Sequence, residues 1–234
     1  MNIVTFDNDA KRIGLVVADE KQAIMEYFKN WHLIKLTWNK FEVYWANQGI
    51  INLYILFCGS GEVQAASGTQ YLIDNFSVDQ IINCGVVGGI NPDFKTGDVV
   101  LVSDIIPYQY DLSSLGYEKA TLPKNMEQYL YTNSERLCEL VEKVDLPLAS
   151  CASGDKFLLH SDKKQLWENY EADICDMESY GIAYTCNLNK IPFVMIKAVS
   201  DDSNDGGEEY RETLYEASLK CLKYLERVIL WKFL

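Results

Sequence analysis

The stretch Ile81-Ile82-Asn83-Cys84-Gly85-Val86-Val87-Gly88-Gly89 decides how the rest of this sequence is interpreted. Its mostly apolar first half is typical of a strand that is buried on both faces. Its glycines mark the end of that strand. In open α/β sheets, ligands bind beyond the carboxyl ends of the strands. We therefore predict a buried strand over residues 79–85, with Gly85–Gly89 close to a ligand.

Strands and helices alternate on both sides of this stretch. Residues 13–17 form another two-sided apolar run, and the residues after them carry apolar positions at helical spacing. Closely spaced β-rich segments follow, with a tight hairpin predicted at Asn39-Lys40. The predicted strands are residues 13–17, 34–38, 41–46, 52–57, 79–85, 98–106, 148–153, 173–177 and 192–200. The predicted helices follow residue 19, cover residues 62–75, 126–143 and 178–188, begin again at Ser161-Asp162 and close the chain after residue 207.

This alternation predicts an α/β protein with a mixed sheet and helices on both of its faces. Hydrophobic residues make up 48% of the sequence and charged residues 24%, which is the balance of a globular protein with a sizeable core. The sequence contains no internal repeat, low-complexity linker or break in composition. A single domain over residues 1–234 is therefore expected.

The charge of the chain excludes several classes of partner. Its formal net charge is −13, with 34 acidic against 21 basic residues. A field of this sign repels nucleic-acid backbones and anionic lipid headgroups, so we expect no nucleic-acid and no membrane partner. No apolar run approaches the roughly 20 residues that a membrane span needs. The first ten residues show no secretory signal, so a cytoplasmic protein is expected.

The sequence offers no metal site and no cofactor motif. The closest two of its seven cysteines are Cys175 and Cys186, whereas a zinc ribbon needs ligands in close pairs. We therefore expect reduced, buried cysteines and no metal. Gly59-Ser60-Gly61 lacks the third glycine of a dinucleotide fingerprint, and the chain has no phosphate loop of the GxxxxGK[ST] type.

Further motifs stand in a fixed order after the glycine-rich strand. Together with it, they resemble the nucleoside phosphorylase/nucleosidase superfamily, and within it the 5′-methylthioadenosine/S-adenosylhomocysteine nucleosidases. The resemblance extends from Ile13-Gly14 to the final helix. It implies the nucleoside phosphorylase fold, a three-layer α/β/α domain with a mixed, partly barrel-like central sheet. The motifs are Gly97-Asp98-Val99-Val100, Leu115-Gly116-Tyr117-Glu118 with Leu122-Pro123, Ser153-Gly154-Asp155-Lys156-Phe157, Asp176-Met177-Glu178 and Ala198-Val199-Ser200-Asp201.

The resemblance implies cleavage of the bond between adenine and the ribose of a thio-substituted adenosine. Adenine leaves poorly until it is protonated, so a carboxylic acid is needed near its N7. By resemblance this acid is Asp201, held by Ser200. The transition state is oxocarbenium-like, and an anion beside the ribose hydroxyls stabilises it. Glu178 matches that role, with Met177 against the sugar and Asp176 in the same motif.

The resemblance also implies the remaining binding positions. Phe157 matches the ring that stacks on adenine, and the backbone at Phe157 and Leu158 matches the groups that read the edge of the base. Leu115 and Pro123 match positions at which a neighbouring subunit completes the pocket for the 5′-thio group. The resemblance therefore implies a homodimer, a small-molecule nucleoside as partner, no cofactor and no metal.

Three of these residues also have a purely structural explanation. Asp201 begins an acidic stretch that could be a solvated loop after a strand. Glu178 could complement the dipole at the start of a helix. Phe157 by itself is more often a core residue than a stacking platform. The order of the motifs favours the functional interpretation for Glu178 and Asp201, and does so less for Phe157.

The chain departs from the family where the nucleophilic water should be held. Ungapped matching places Gln22, Val86 and Lys197 where the family has Glu, Ser and Arg. Gln cannot act as a general base and Val has no hydroxyl. Gln22 could instead form a capping box with Asp19. Glu20, at the same helix start, is the alternative base, although residues two apart on a helix do not share a face.

Three functions stay open at this point. The leading prediction is an N-glycosyl hydrolase that releases adenine from methylthioadenosine, adenosylhomocysteine or a related adenosine, with weakened activity. A phosphorylase is the second, but it needs cations for phosphate, and Asn83 stands where that branch has an arginine. Lys197 is then the only candidate cation. A catalytically impaired nucleoside-binding protein is the third, because all three positions around the water have changed.

Overall fold

A computed structural model describes residues 10–36, 41–122, 130–131, 143–201 and 207–230 of the chain. Ten strands and five α-helices alternate along these residues. The strands are β1 Lys11–Val17, β2 Ile34–Lys35, β3 Glu42–Gln48, β4 Ile51–Phe57, β5 Gln80–Gly89, β6 Val99–Pro107, β7 Leu130–Tyr131, β8 Leu148–Ser153, β9 Ile174–Asp176 and β10 Phe193–Asp201. The helices are α1 Lys21–Tyr27, α2 Glu62–Phe76, α3 His160–Tyr170, α4 Ser179–Asn189 and α5 Gly207–Leu230.

The ten strands form one mixed sheet that closes on itself in part. Its order is β10-β6-β8-β9-β5-β1-β4-β3-β2, with β7 paired to β6. Because β10 also pairs with β5, the strands β10, β6, β8, β9 and β5 complete a ring, and the other strands extend from it as an open sheet. This confirms the expected partly barrel-like sheet.

Helices cover both faces of the sheet, which confirms the three-layer arrangement. Alternate residues of a strand point to opposite faces. On β1, Leu15 packs in a cluster with the apolar sides of α1 and α5, whereas Val16 packs in a second cluster with those of α2 and α4. Each cluster contains more than fifteen buried residues, so burial on two faces explains why the central strands are apolar throughout.

Most of the predicted elements are confirmed, and three differ. The central strand β5 does not end at Gly85 but runs to Gly89, because its last two residues pair with β9. The strand predicted over residues 34–38 is only two residues long, and the hairpin at Asn39-Lys40 lies outside the described residues. The helix predicted over residues 126–143 is wrong at Leu130–Tyr131, which pair with β6 as strand β7; residues 126–129 and 132–142 lie outside the described ranges.

A helix that crosses a membrane must be both long and apolar. Within the described residues, no helix combines the length and the apolar character needed to cross a membrane. The longest helix, α5, begins with Glu208 and Glu209 in its first turn and carries Arg227 in its last turn.

Candidate active site

A cavity of about 200 Å³ opens where the residues that follow β1, β4, β8 and β9 meet the last residues of β5 and β10. Such a position beyond strand ends is where α/β proteins bind ligands. Five carboxyl groups of the predicted motifs or their neighbours line this one cavity. The lining residues are Ala18, Asp19, Glu20, Ser60, Val86, Val87, Gly88, Lys156, Phe157, Leu158, Lys163, Cys175, Asp176, Met177, Glu178, Ser200, Asp201 and Tyr210.

Asp201 reaches the cavity through an irregularity at the end of β10. Val199 pairs with Val87 and Asp201 with Gly88, so Ser200 is an extra residue between them. Bulges of this kind turn a side chain to a new direction. The Ser200 hydroxyl lies 3.1 Å from the Val87 carbonyl oxygen and 2.9 Å from Asp201 Oδ1. Burial raises the pKa of Asp201, although a neighbouring lysine acts in the opposite direction.

That lysine is Lys163, which the sequence analysis did not identify. Its ammonium donates to Asp201 Oδ2 at 2.5 Å, and its side chain is 1% exposed. Gly88 makes room for it, since a Cβ on Gly88 would stand 3.1 Å from Lys163 Nζ. A signal for Lys163 was present in the helical spacing, because it lies three residues before the buried Leu166 on the same face of α3.

Of the two candidate residues at the start of α1, Glu20 lines the cavity and Gln22 does not. Glu20 is the N-cap residue of α1 and is 6% exposed. Its Oε1 accepts the backbone N–H of Val86 at 2.9 Å, and a Cβ on Gly85 would stand 2.8 Å from the same oxygen. Burial raises the pKa of Glu20, against the Val86 N–H and the charge of Lys197.

The placement of Gln22 from ungapped matching is therefore wrong. Gln22 is exposed on α1 and is absent from the cavity lining. The capping box with Asp19 is wrong as well, because α1 begins one residue later than that motif requires and its N-cap has no side-chain hydrogen bond. Asp19 instead accepts a hydrogen bond of 2.6 Å from Ser60 at the edge of the cavity. Val86 lines the cavity with a half-buried side chain.

Glu178 sits between the loop after β4 and the start of α4. Its Oε1 accepts the backbone N–H of Gly61 at 2.8 Å, which is possible because Gly61 has a φ of +107° that favours glycine. Glu178 is 9% exposed. Burial, reinforced by the charge of Asp176, raises the pKa of Glu178 to about 7. The group therefore changes its charge near neutral pH.

Asp176 and Lys197 form a buried ion pair behind these carboxylates. Lys197 Nζ lies 2.7 Å from Asp176 Oδ2, and both side chains are 2% exposed. Burial opposes the charge of Asp176, but Lys197 and the Ser179 hydroxyl outweigh it and lower the pKa of Asp176. For Lys197 the facing carboxylates outweigh burial and raise its pKa. Lys197 thus places a fixed positive charge close to Glu20 and Glu178.

The apolar side of the cavity is made by Phe157, Leu158 and Met177. Phe157 is 43% exposed and is therefore not a core residue. Its ring meets that of Tyr210 at a centroid distance of 5.5 Å and an angle of 75°. Tyr210, at the start of α5, was missed by the sequence analysis, and burial raises the pKa of its hydroxyl. An exposed aromatic ring beside a cavity is available for stacking on a base.

Of the two positions assigned to a neighbouring subunit, only Leu115 lies in the described residues, and it does not line the cavity of its own chain. Leu115 lies at the end of a 3-10 turn and is 70% exposed. Pro123 lies outside the described residues. Across the described ranges, the side chains of His, Cys, Asp and Glu form no group of three or more that could hold a metal ion.

Comparison with known proteins assigns the chain to a family. The model of the phosphorylase superfamily matches residues 7–230. The chain belongs to the phosphorylase superfamily. Its relatives include 5′-methylthioadenosine/S-adenosylhomocysteine nucleosidases of Hydrogenovibrio crunogenus, 29% identical over 81% of this chain and 84% of the relative, and of Tolumonas auensis, 30% identical over 66% and 72%. The solved structure of the nucleosidase of the same name from Helicobacter pylori covers 95% of this chain and 99% of its own, with a TM-score of 0.88 and 18% identity.

For this phosphorylase-superfamily member, the glycine-rich strand now has a physical explanation. Gly85 gives space to the carboxylate of Glu20, and Gly88 gives space to the ammonium of Lys163. Besides the side chains of Val86 and Val87, the strand thus contributes the Val86 N–H and the space left by its glycines. Glycine is therefore needed at these two positions because side chains from other elements approach the strand there.

Proposed function

We propose that this protein is a purine nucleosidase that hydrolyses the N-glycosidic bond of 5′-methylthioadenosine, S-adenosylhomocysteine or a related adenosine and releases adenine. The observation that carries the proposal is the presence of Asp201, Glu178 and Glu20 in one cavity, each held by a different element. The names of the relatives supply the class of substrate.

Asp201 supports the role of the acid that protonates adenine at N7. Its raised pKa favours the protonated form that can donate. The Ser200 hydroxyl can serve either form of the acid, because it can donate to an ionised Asp201 or accept from a protonated one while donating to the Val87 carbonyl. The neighbouring Phe157 offers a face on which the base can stack.

Glu178 and Glu20 support the sugar and water steps. An ionised Glu178 can accept hydrogen bonds from the ribose hydroxyls and stabilise the positive charge that develops on the sugar. Glu20 has one oxygen on the Val86 N–H, whereas Oε2 has no hydrogen-bond partner among the described residues. A raised pKa makes Glu20 a better base for a water molecule that attacks the sugar carbon.

The charges around the cavity favour water over phosphate as the nucleophile. Lys163 is paired with Asp201, Lys197 with Asp176 and Lys156 with Asp162. No arginine lines the cavity among the described residues. Asn83 donates to the Val16 carbonyl at 2.9 Å and does not line the cavity. A phosphate ion would therefore meet carboxylates and already neutralised lysines.

A second copy of the chain is proposed to complete the site. Large apolar side chains stand exposed on α2 and α4, where Val63 is 74%, Leu188 66% and Tyr184 44% exposed. Leu115 is exposed to a similar degree. A partner that covered them would remove this apolar surface from water. A cytoplasmic location is proposed as well, since the six cysteines of the described residues are all free and buried, which suits a reducing compartment.

Adenine release from a panel of nucleosides, with and without phosphate, tests the proposal. We expect release without phosphate and no increase on its addition, and the Asp201→Asn variant should lose about 10²–10⁴-fold in turnover. Release that requires phosphate would favour the phosphorylase. Calorimetric binding of the nucleosides without turnover over hours would favour the impaired homologue.

A further inference from the structure

The cation closest to the proposed acid is Lys163, whose setting is unusual for a lysine. Fully buried lysines are rare unless they are paired. Lys163 is buried at the cavity wall, on the first turn of α3, and its ammonium is bonded to Asp201 Oδ2. Lys164, the next residue, is 66% exposed and lies 3.8 Å from Glu168. Of these two adjacent lysines, only Lys163 is buried, and its ammonium contacts Asp201.

The groups around Asp201 leave Lys163 as the main source of positive charge. Cys175 of β9 is neutral, because burial raises the pKa of its thiol to about 12. Glu209 and Tyr210 of α5 face Asp201 as an acid and a phenol, and Glu209 accepts a hydrogen bond from Thr96. Among the described residues whose charge shifts the pKa of Asp201, Lys163 is the one that carries a positive charge and lowers it.

Both oxygens of Asp201 are held, and the two contacts differ in kind. The neutral Ser200 hydroxyl lies at Oδ1, and the ammonium of Lys163 lies at Oδ2. Gly88 keeps the space for the ammonium free, since a Cβ there would also stand 3.2 Å from Lys163 Cε. The carboxyl is thus oriented by contacts from β10 and α3 before any ligand binds.

We propose that Lys163 is a positioning residue, which orients Asp201 and stabilises the negative charge that forms on it as its proton moves to the leaving base. This deepens the proposed function and rests on it. In that step the O–H bond of Asp201 breaks and an N–H bond forms at N7 of adenine. The electron pair of the glycosidic bond moves into the base, water attacks the sugar carbon, and Glu20 takes the proton of that water. Asp201 ends as a carboxylate beside the ammonium.

Burial and the charge of Lys163 shift the pKa of Asp201 in opposite directions, and each shift can serve the reaction. Burial keeps the proton on the acid, and Lys163 lowers the cost of releasing it. Activity that needs a protonated Asp201 is lost as pH rises through its pKa, and removal of the cation moves that loss to higher pH while making the acid weaker.

The experiment compares Lys163→Met and Lys163→Arg with Lys164→Met as the matched control. The first readout is the ¹³C chemical shift of the Asp201 carboxyl in the ligand-free protein, titrated with pH and identified by its absence in Asp201→Asn. The second is the pH profile of kcat. For Lys163→Met we expect a rise of roughly one pH unit or more in both the titration midpoint and the alkaline limb, with kcat lower by about 10–100-fold at neutral pH. Arg should restore most of the rate, and Lys164→Met should match the parent.

A folded Lys163→Met protein with an unchanged midpoint, or with an equal loss at every pH, overturns the proposal. If Lys163→Met does not fold, Lys163→Gln, which is neutral but polar, replaces it. An unchanged midpoint or an equal loss at every pH in that variant overturns the proposal in the same way. The ligand-free titration separates this proposal from the proposed function. Should the parent release no adenine from any nucleoside, the nucleosidase assignment fails, whereas the titration still reports whether Lys163 controls Asp201.

Discussion

At the scale of single residues, the choice between Glu20 and Gln22 has the clearest consequence. Glu20 is buried with an oxygen on the Val86 N–H, and Gln22 is exposed on α1. We expect Glu20→Gln to lower kcat by about 10²–10⁴-fold, because an amide cannot take a proton from water. Gln22→Ala, the control, should stay within about twofold of the parent, as exposed positions away from a site usually do. Steady-state adenine release measures both. A larger loss for Gln22→Ala would mean that the water is held elsewhere.

Glu178 gives a prediction about pH. Burial and Asp176 raise its pKa to about 7, so it carries its charge above that pH and loses it below. Nucleoside affinity should therefore fall as pH drops through 7, by up to about tenfold per unit. Calorimetry in the Asp201→Asn background, which prevents turnover and removes the titration of that acid, measures the binding constant. In Glu178→Gln the affinity should be lower and this pH dependence lost; a dependence that survives belongs to another group.

At the scale of elements, β5 shows how a strand can position a side chain that it does not carry. A Cβ on Gly85 would stand 2.8 Å from Glu20 Oε1, which is the mobile end of a side chain and can move away. We expect Gly85→Ala to fold with a melting temperature close to the parent's but to lose about 10–100-fold in kcat, because the carboxylate is displaced. Gly207→Ala is the control, since nothing lies within 4 Å of the added Cβ. Thermal unfolding and adenine release check the pair, and full activity of Gly85→Ala would contradict the assignment of Glu20.

The sequence predicts elements better than it predicts which side chains meet. The apolar runs located the buried strands, whereas Asp201 and Glu178 were selected by the resemblance of their motifs to the nucleosidases. Glu20 was harder to select, because successive helical residues turn by about 100° and the facing residue depends on where α1 begins. Lys163 was missed because its spacing from Leu166 predicts a buried position but not a partner, and the partner, Asp201 on β10, is distant in the sequence.

At the scale of the whole molecule, the exposed apolar side chains of α2 and α4 predict the oligomeric state. We expect the protein to sediment as a dimer, and a charge at Val63, which is 74% exposed on α2, to give a monomer with little activity. Ile50 is 51% exposed at the turn between β3 and β4, so Ile50→Asp serves as the control and should leave the dimer intact. Analytical ultracentrifugation with an activity assay on each variant decides. A fully active monomeric Val63→Asp protein would show that one chain forms the complete site.

The pairing of every described lysine at the cavity wall has a consequence for the choice of metabolite. A phosphorylated adenosine and a free nucleoside present the same base and the same sugar. A 5′-phosphate would bring two negative charges into a cavity lined by Asp19, Glu20 and Glu178, and the two lysines of that lining, Lys156 and Lys163, are already paired with carboxylates. AMP should therefore compete poorly with the neutral nucleoside, and repulsion by the cavity carboxylates would spare the nucleotide pool.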